Sequence, residues 1–318
     1  MSSHSNSFTV ISTFAGCGGS SLGYQMAGGV DLAAVEYDHH AAETYRLNFP
    51  GVPVIERDIA IVTAQELLDL TGLGIGQLDI LDGSPPCQGF STAGKRQVSD
   101  PRNSLFKEYI RLLEGLQPKV LVMENVSGMV KGKMKWVFAQ ILIALKEAGY
   151  DVSCRLLNAM YFGVPQSRAR VIFIGVRKDL GIKPSHPRPH GPVITVREAW
   201  AGLPSQTEAG RKLSPRYCAY WQQARPGGSV GKLRAARKLK WNRPSYTLTQ
   251  TEGNGGVYHP SECRGLSILE MARLQSIPDE FQFPASIRDN RKVIGNAVPP
   301  LMMKAIAEHI RDNILAKL

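Results

Sequence analysis

Long hydrophobic runs are missing from this 318-residue chain. No stretch reaches the roughly 18 apolar residues of a membrane-spanning helix, so none is predicted. The first residues lack the basic and apolar regions of a secretory signal. The five cysteines are an odd number with no Cys-x-x-Cys pair, which argues against a disulfide framework or a zinc ribbon and predicts unpaired thiols in a reducing cytoplasm. Internal repeats and low-complexity tracts are absent as well, and the 43% hydrophobic content is enough for a large core.

The positive charge is concentrated in one part of the chain. The formal net charge is +11, and residues 177–244 hold 15 Lys and Arg against 3 acidic residues, whereas the rest carries 23 basic and 24 acidic groups. Clustered cations displace counterions from phosphates, so a nucleic acid is the favoured partner and a solvated basic face is the alternative. The densest part of this basic region contains Lys232, Arg234, Arg237, Lys238, Lys240 and Arg243.

Strand and helix patterns alternate through the first half of the chain. Strands are predicted at 9–14, 31–37, 54–55, 78–81, 119–124, 150–158 and 170–176, and helices at 38–49, 64–70, 104–115, 133–148, 267–275 and 301–315. Such alternation predicts an α/β fold with a doubly wound, mostly parallel sheet. Residues 183–256 lack clear periodicity and predict a smaller, irregular domain. We therefore expect a catalytic domain at 1–180 and 285–318, and a second domain at 181–284.

A glycine-rich turn follows the first predicted strand. Glycines there allow a ligand to approach the backbone, and the following helix offers free N–H groups. Glu36 ends the second strand, 20 residues after Gly16, where a carboxylate typically binds ribose hydroxyls. Asp58 ends the third strand and could accept a hydrogen bond from an adenine amino group. This pattern predicts an adenosine-containing ligand; the glycine spacing makes NAD less favoured but leaves a dinucleotide and S-adenosylmethionine both open.

A cysteine follows the fourth predicted strand. Two prolines precede Cys87 and predict a stiff turn that holds its thiol at the rim of the sheet, as a nucleophile or as a small buried residue. Glu124 ends the fifth strand, which neighbours the fourth in many doubly wound sheets. Arg168 and Arg170 precede another strand. These side chains could activate an electron-poor ring beside a phosphate, although a salt bridge at the strand end and a solvated edge are the plainer alternatives.

Together these motifs resemble the DNA (cytosine-5)-methyltransferase family of prokaryotic restriction–modification systems. The matches occur in order along almost the whole chain: Phe14-Ala15-Gly16-Cys17-Gly18-Gly19, Glu36, Asp58, residues 83–91 around Pro-Cys-Gln, Glu124-Asn125-Val126, Gln166-Ser167-Arg168-Ala169-Arg170, residues 264–275, and Gly295-Asn296-Ala297-Val298-Pro299-Pro300. The variable segment of this family lies where the basic region falls.

The resemblance implies methyl transfer from S-adenosylmethionine to C5 of a cytosine flipped out of a specific double-stranded DNA sequence. It makes Cys87 the nucleophile that adds to C6, Glu124 the partner of N3 and the exocyclic amine, Arg170 a contact to O2, and Arg168 a support of the loop. It also maps a cofactor pocket onto Phe14, Gly16, Gly18, Glu36, Asp58, Leu105, Asn296 and Val298, without a metal.

Further expectations follow from the resemblance. Residues 181–284 would read the DNA, and residues 88–103 would close over the flipped base as a lid. The enzyme would be a monomer in the cytoplasm, associated with the nucleoid, and either paired with a restriction endonuclease or an orphan of such a system. Alternatives are an RNA cytosine-5 methyltransferase, although the Cys-Phe-Thr element of the tRNA-modifying relatives is not found, an inactive DNA-binding regulator, and a nicotinamide-dependent dehydrogenase.

Overall fold

The computed structural model describes residues 7–86, 105–204, 210–231, 236–250 and 256–318. The chain divides into two compact units. The first contains Met1–Leu157, Ala169–Arg188 and Met303–Leu318, and the second contains Asn158–Arg168 and Pro189–Met302. Within the described ranges, no helix has the length and apolar character needed to cross a bilayer.

Strands and helices alternate in the first unit, as the sequence predicts. Its elements are β1 (Phe8–Thr13), α1 (Gly19–Met26), β2 (Gly29–Glu36), α2 (His39–Asn48), β3 (Val54–Glu56), α3 (Ala64–Thr71), β4 (Ile80–Gly83), α4 (Leu105–Leu116), β5 (Val120–Val126), α5 (Lys135–Glu147), β6 (Tyr150–Asn158), β8 (Ala169–Arg177) and most of α10 (Pro300–Asn313). Short 3-10 helices occur at Ile59–Ile61, Ser127–Val130, Gly132–Met134, Lys178–Leu180 and Leu315–Lys317.

The seven-stranded sheet has the order β3-β2-β1-β4-β5-β8-β6. The pairs β1–β2, β1–β4, β2–β3 and β4–β5 are parallel, and β8 runs antiparallel to β5. This confirms the doubly wound, mostly parallel sheet. Because the strand order reverses between β1 and β4, the carboxyl ends of these strands are where such a sheet binds its ligands.

Apolar side chains on both faces of the sheet explain why these segments fold together. All four residues of β4 and the first six of β5 are buried, as expected for strands covered on both sides. Helix α4 is amphipathic and buries Phe106, Tyr109 and Leu113 against the core. The side chains of Asp38 and Thr63 cap α2 and α3, which satisfies backbone N–H groups at their first turns.

Short elements dominate the second unit. They are β7 (Gln166–Ser167), α6 (Val196–Ala199), α7 (Pro215–Gln223), β9 (Ser229–Val230), β10 (Ala236–Lys238), β11 (Ser245–Tyr246), β12 (Val257–Tyr258), α8 (Ile268–Leu274) and α9 (Ile287–Asn296), with a 3-10 helix at Ala159–Phe162. Strands β12, β10 and β9 form one small sheet, and β11 pairs with β7. Helix α8 begins with the predicted capping box between Ser267 and Glu270. The functional roles expected for residues 1–180 with 285–318 and for 181–284 stay predictions.

The expectation that all the cysteines are unpaired is wrong for two of them. Cys218 and Cys263 form a disulfide whose Cα atoms are 5.6 Å apart. The reason lies in the local backbone: Lys212 pairs with Arg264 in a β-bridge, and the Leu213 N–H donates to the Cys263 carbonyl. This pairing aligns two segments that are 45 residues apart in the chain. Cys17 and Cys154 take part in no disulfide.

Candidate active site

The glycine-rich turn after β1 has an unusual backbone. Phe14, Gly16 and Gly18 have φ angles of 51°, 58° and 91°, in the region that strains residues other than glycine. A Cβ built at Gly18 would lie 2.1 Å from the ring of Phe49, whereas a Cβ at Gly16 would meet nothing within 4 Å. The turn therefore requires glycine at 18 for packing, and at 16 it presents bare backbone to open space.

Glu36 lies at the carboxyl end of β2 and reaches this turn. One carboxylate oxygen accepts from the Gly16 N–H at 2.7 Å, and the other accepts from the N–H groups of Tyr37 and Asp38 at 2.8 and 2.7 Å. Burial raises the pKa of Glu36, and these three hydrogen bonds oppose the rise. The carboxylate is held in one orientation beside the half-buried backbone of Gly16.

Two other cofactor candidates lie in the first unit. Asp58 is exposed after β3, and its carboxylate accepts from the Ala60 N–H at 3.0 Å. Leu105 begins α4 and packs, partly buried, against the main core. All six cofactor candidates of the first unit lie at or just after the end of a strand, or at the start of a helix: Phe14, Gly16, Gly18, Glu36, Asp58 and Leu105.

Glu124 and Arg170 lie together on neighbouring strands. Glu124 is opposite Ile172, and Arg170 is opposite Val126. This offset of two places both side chains on the same face of the sheet. Arg170 Nε lies 2.7 Å from Glu124 Oε1, and both side chains are only about one-tenth exposed. The structure thus joins Glu124 and Arg170 in a nearly buried ion pair, which is the salt bridge that the sequence analysis kept open as an alternative, and their catalytic roles stay predictions.

Asn125 connects this strand end to the loop after β4. Its buried amide Nδ2 donates to the Pro85 carbonyl at 3.2 Å, and its Oδ1 accepts from the Val126 N–H at 2.8 Å. Sequence reasoning gave Asn125 no role of its own; its place beside Glu124 in the motif was the available signal. The predicted nucleophile Cys87 and the predicted lid 88–103 lie outside the described residues, which stop at Pro86 on this side.

A buried carboxyl lies in β4, just before that loop. The Tyr24 hydroxyl of α1 donates to Asp82 Oδ1 at 3.1 Å. Burial raises the pKa of Asp82 to about 7, against the lowering effect of hydrogen bonds from Tyr24 and Ser20. Burial likewise raises the pKa of Asp31 in β2 to about 7. The sequence analysis missed this network; the signal was an aspartate within the apolar run of β4.

In the second unit, Arg168 is buried and holds backbone carbonyls. Its Nη1 donates to Leu248 and Gly295 at 3.2 and 3.0 Å, and its Nη2 donates to Asn296 at 3.3 Å. These bonds fix the backbone at the end of α9, where the Asn296 side chain is exposed and Val298 is buried. Such contacts suit the loop-supporting role that the sequence assigned to Arg168.

A pair of glutamines stabilises the same unit. Gln166 accepts from the Leu248 N–H at 2.9 Å and donates to the Leu274 carbonyl at 3.2 Å and to the Gln275 side chain. Gln275 in turn donates to the carbonyls of Ile294 and Ala297 at 3.0 and 2.6 Å. Both amides are fully buried, so this network links the sequence motifs around residues 166, 275 and 296 into one rigid element.

Two cations of the basic region contact aromatic rings. Lys238 Nζ lies 3.6 Å from the centre of the Trp221 ring, and the Arg237 guanidinium lies 4.7 Å from that of Tyr246. These are cation–π distances, so Lys238, which is half-buried, serves the packing of the unit. Arg237 and Arg243 are exposed, and Lys232 and Arg234 lie outside the described residues.

Metal ligands are not grouped in the described ranges, which contain no set of three His, Cys, Asp or Glu able to hold an ion. His259 stacks on Trp200 at 5.4 Å, and its Nδ1 accepts from the Glu262 N–H at 2.9 Å. The nearby Cys218 and Cys263 are joined to each other. These contacts indicate that His259 serves the packing of the second unit.

Comparisons with known proteins agree on one family. The profile of the family described as C-5 cytosine-specific DNA methylase matches residues 8–312. The chain is 36% identical to Type II methyltransferase M1.HphI of Haemophilus parahaemolyticus, over 96% of this chain and 87% of the relative. It is 35% identical to Type II methyltransferase M.XorII of Xanthomonas oryzae pv. oryzae, over 96% of this chain and 85% of that protein.

Solved structures show the same fold. A protein described as a DNA modification methyltransferase encoded within an E. coli prophage superposes with a TM-score of 0.83 at 26% identity, covering 97% of this chain and 99% of the other. DNMT2 of Spodoptera frugiperda superposes with a TM-score of 0.70 at 20% identity, covering 93% and 97% of the two chains. The second likeness concerns the fold alone.

Proposed function

Because the chain belongs to the C-5 cytosine-specific DNA methylase family, we propose that it methylates C5 of a flipped-out cytosine through a transient bond between Cys87 and C6. The coarser activity, that of a DNA cytosine-5 methyltransferase of the restriction–modification type, follows from the family and the Type II relatives. The proposal adds the nucleophile, the methyl donor and the roles of individual side chains.

The nearly buried pair of Glu124 and Arg170 is the observation that supports this proposal most. It puts a carboxyl and a guanidinium side by side at the end of β5, one strand away from β4. Asn125 ties that strand end to Pro85, two residues before Cys87 in the sequence. A cytosine ring offers an acceptor at N3, a donor at N4 and an acceptor at O2, which such a pair can bind together.

The reaction needs a carbon nucleophile at C5. The Cys87 thiolate forms a bond to C6, and the ring electrons then make C5 nucleophilic. Glu124, protonated or sharing a proton with the ring, donates to N3 and accepts from the exocyclic amine. S-adenosylmethionine, when bound, would supply the methyl group that C5 receives and would be left as S-adenosylhomocysteine. A base then removes the C5 proton, the C5–C6 double bond reforms, and sulfur leaves as the thiolate. Free cysteine has a pKa of about 8.5, and a nearby arginine favours the thiolate.

The residues of the first unit fit the adenosine-containing donor. Gly16 leaves bare backbone where a side chain would point into open space, and Glu36 holds a carboxylate beside it. We assign the cofactor to Phe14, Gly16, Gly18, Glu36, Asp58 and Leu105. Asn296 and Val298 of the second unit keep the assignment that the family resemblance gives them.

Double-stranded DNA is the proposed substrate, and residues 181–284 are proposed to read its sequence. The exposed Arg237 and Arg243 are suited to phosphates, which position a protein on DNA. Flipping the cytosine out of the duplex costs a few kcal/mol. We propose that the enzyme acts as a monomer on cytoplasmic, nucleoid DNA and protects its sites against a partner endonuclease, as the names of its Type II relatives suggest.

The test is expression in a bacterial host without DNA methylation, followed by mass spectrometry of nucleosides and a C5-methylcytosine sequencing readout. We expect 5-methylcytosine at one short sequence with the wild type and none with Cys87→Ala. Cys154→Ala is the matched control, because Cys154 is a free thiol in β6 outside the proposed site, and it should methylate normally. Methylation of adenine, or of the cytosine N4 atom, would refute the proposed reaction.

A covalent trap then tests the nucleophile directly. An oligonucleotide with 5-fluorocytosine at the identified site, incubated with S-adenosylmethionine, should form a stalled adduct, because the fluorine at C5 cannot leave as a cation. Peptide mapping should find the adduct on Cys87 in the wild type and in Cys154→Ala. Normal turnover of the natural site by Cys87→Ala would reject the assigned residue even if the product is 5-methylcytosine.

A further inference from the structure

A polar cavity of about 540 Å³ lies in the first unit, apart from the side chains assigned to catalysis and cofactor binding. It involves β6, the edge strand of the sheet, together with the segment after β8 and the end of α10. Its lining residues are Ser153, Arg155, Pro184, Ser185, His186, Arg188, His309 and Asn313.

The charge of this cavity has one sign. Its lining includes two arginines and two histidines and no acidic residue. The nearby carboxylates are already engaged elsewhere: Asp151 with Lys183 at 3.2 Å, and Asp312 with Arg311 at 2.6 Å. Burial lowers the pKa of both histidines, and the positive charge of Arg155 lowers each further. For His309, Lys317 also lowers the pKa, whereas the Asp312 carboxylate raises it. The lining itself therefore brings positively charged side chains and no carboxylate to the cavity.

A buried imidazole forms part of the wall. His186 is only 6% exposed. Neither of its ring nitrogens has a hydrogen bond of ordinary geometry, although a hydrogen-bonding interaction with the backbone of Ser153 raises the pKa of the ring. Burial, with the charges of Arg155 and His309, lowers the pKa of His186 to about 4. The ring is therefore neutral near pH 7 and keeps one N–H to donate. This donor is only partly satisfied within the protein, which is costly for a buried group, and an acceptor in the cavity would relieve part of that cost.

The other polar groups extend the set of donors. Ser185 Oγ and His309 Nε2 are 2.8 Å apart, and Asn313 Nδ2 lies 3.2 Å from the His309 carbonyl. Hydroxyls, an amide and two guanidiniums around one cavity make a site rich in donors for a compact anion. Pro184 is the one apolar residue in the lining, so an aromatic or aliphatic ligand would gain little there.

We propose that this cavity is a second ligand site that binds a phosphate group. Arginine forks match phosphate oxygens in two-point contacts, and the neutral imidazole with the hydroxyls completes a donor set without a competing carboxylate. The phosphate can belong to a free phosphorylated compound or to the backbone of DNA. The experiments below distinguish these two sources and do not depend on the methylation mechanism.

Pyrophosphate is the probe for the site. Titration of the full-length protein, followed by calorimetry and by ¹⁵N spectra of the seven histidine rings, should give saturable binding with shifts at His186 and His309. Arg155→Gln should weaken binding by about tenfold or more, consistent with the loss of a charge-assisted hydrogen bond, whereas Arg155→Lys should retain part of the affinity. Lys135→Gln, at an exposed position that begins α5 and is outside the cavity lining, should leave binding unchanged.

Arg155 is exposed, so its replacement tests binding with little risk to folding, and circular dichroism checks this. Pyrophosphate that fails to bind, or that binds equally well to wild type and Arg155→Gln, overturns the proposal. Duplex DNA binding at several salt concentrations then distinguishes a free phosphorylated ligand from a phosphate of the DNA backbone. A DNA phosphate in the site predicts that Arg155→Gln lowers the salt slope by about one, and a free phosphate ligand predicts no change in slope.

Discussion

The buried Asp82 makes the stability of the first unit depend on pH, and the substitution Asp82→Asn should remove its share of that dependence, while the similarly buried Asp31 keeps its own. The carboxyl is 2% exposed in β4 and accepts from the Tyr24 hydroxyl. An asparagine has the same shape and keeps an oxygen that can accept this hydrogen bond, but it cannot ionise. The variant therefore isolates the effect of charge at this position.

The expected magnitude follows from the raised pKa. Burial moves the pKa of Asp82 from 3.8 to about 7 in the folded protein, whereas the unfolded chain ionises near its ordinary value. The folded state is therefore favoured fully below the unfolded pKa, and this contribution is lost as the pH rises through about 7. Linkage gives a cost of about 2 kcal/mol at about pH 5 and about 4 kcal/mol at about pH 8.

Urea unfolding followed by circular dichroism measures this effect at the two pH values. The stability of Asp82→Asn relative to the wild type should increase by about 2–3 kcal/mol from about pH 5 to about pH 8. Asp69→Asn is the control, since Asp69 is exposed on α3, and its difference from the wild type should be the same at both values. If Asp82→Asn loses the same stability at both pH values, burial of the carboxylate is not the dominant effect and the reasoning fails.

Two further predictions concern the turn and the ion pair. Gly18→Ala should weaken S-adenosylmethionine binding in calorimetry and lower the stability of the protein by about 1–3 kcal/mol, because the added Cβ would lie 2.1 Å from the Phe49 ring. Gly16→Ala strains the backbone without a clash and should lose less stability. An equal loss of stability in the two variants would contradict this account. In a double-mutant cycle, Glu124→Gln and Arg170→Met should each lower the free energy of unfolding by about 3 kcal/mol or more. The double variant should lose less than the sum of these two losses, since neither charge is then left buried alone. Additive losses in urea unfolding would show that the pair is not coupled.

Much of the first unit could be predicted because each of its segments has a local signal. Strand 150–158 was predicted with the observed bounds, and most other predicted elements begin or end within about two residues of the observed ones, as is usual for such boundaries. The placement of Glu36 and Glu124 at strand ends follows from the same patterns. The contact of Glu36 with the turn after β1 follows in outline, because the carboxyl ends of the parallel strands β1 and β2 meet at one edge. The contact of Glu124 with Arg170 instead depends on β8 running antiparallel to β5, which the sequence did not indicate.

The second unit could not be predicted in this way. Its strands have two or three residues, which is too short for a period-two pattern to be recognised. The disulfide between Cys218 and Cys263 depends on a bridge between segments 45 residues apart. The same holds in the first unit for the hydrogen bond between Tyr24 and Asp82, which joins residues that are 58 positions apart. Such contacts depend on the completed fold, and no local pattern in either segment shows them.

Several unfavourable features of the first unit gather at the carboxyl edge of its sheet. Phe14 has a left-handed backbone, which costs about 1–3 kcal/mol. Asp82 is a buried acid near neutral pKa, and Glu124 and Arg170 form an ion pair that is almost removed from water, an arrangement that seldom stabilises more than apolar packing would. The earlier residues of β4 and β5, which are Ile80, Leu81 and 120–123, are instead apolar and fully buried. A sequence selected for folding alone would not concentrate these costs where a doubly wound sheet binds its ligands. Their concentration is therefore an argument from energetics, independent of the sequence motifs, that this edge is maintained for chemistry.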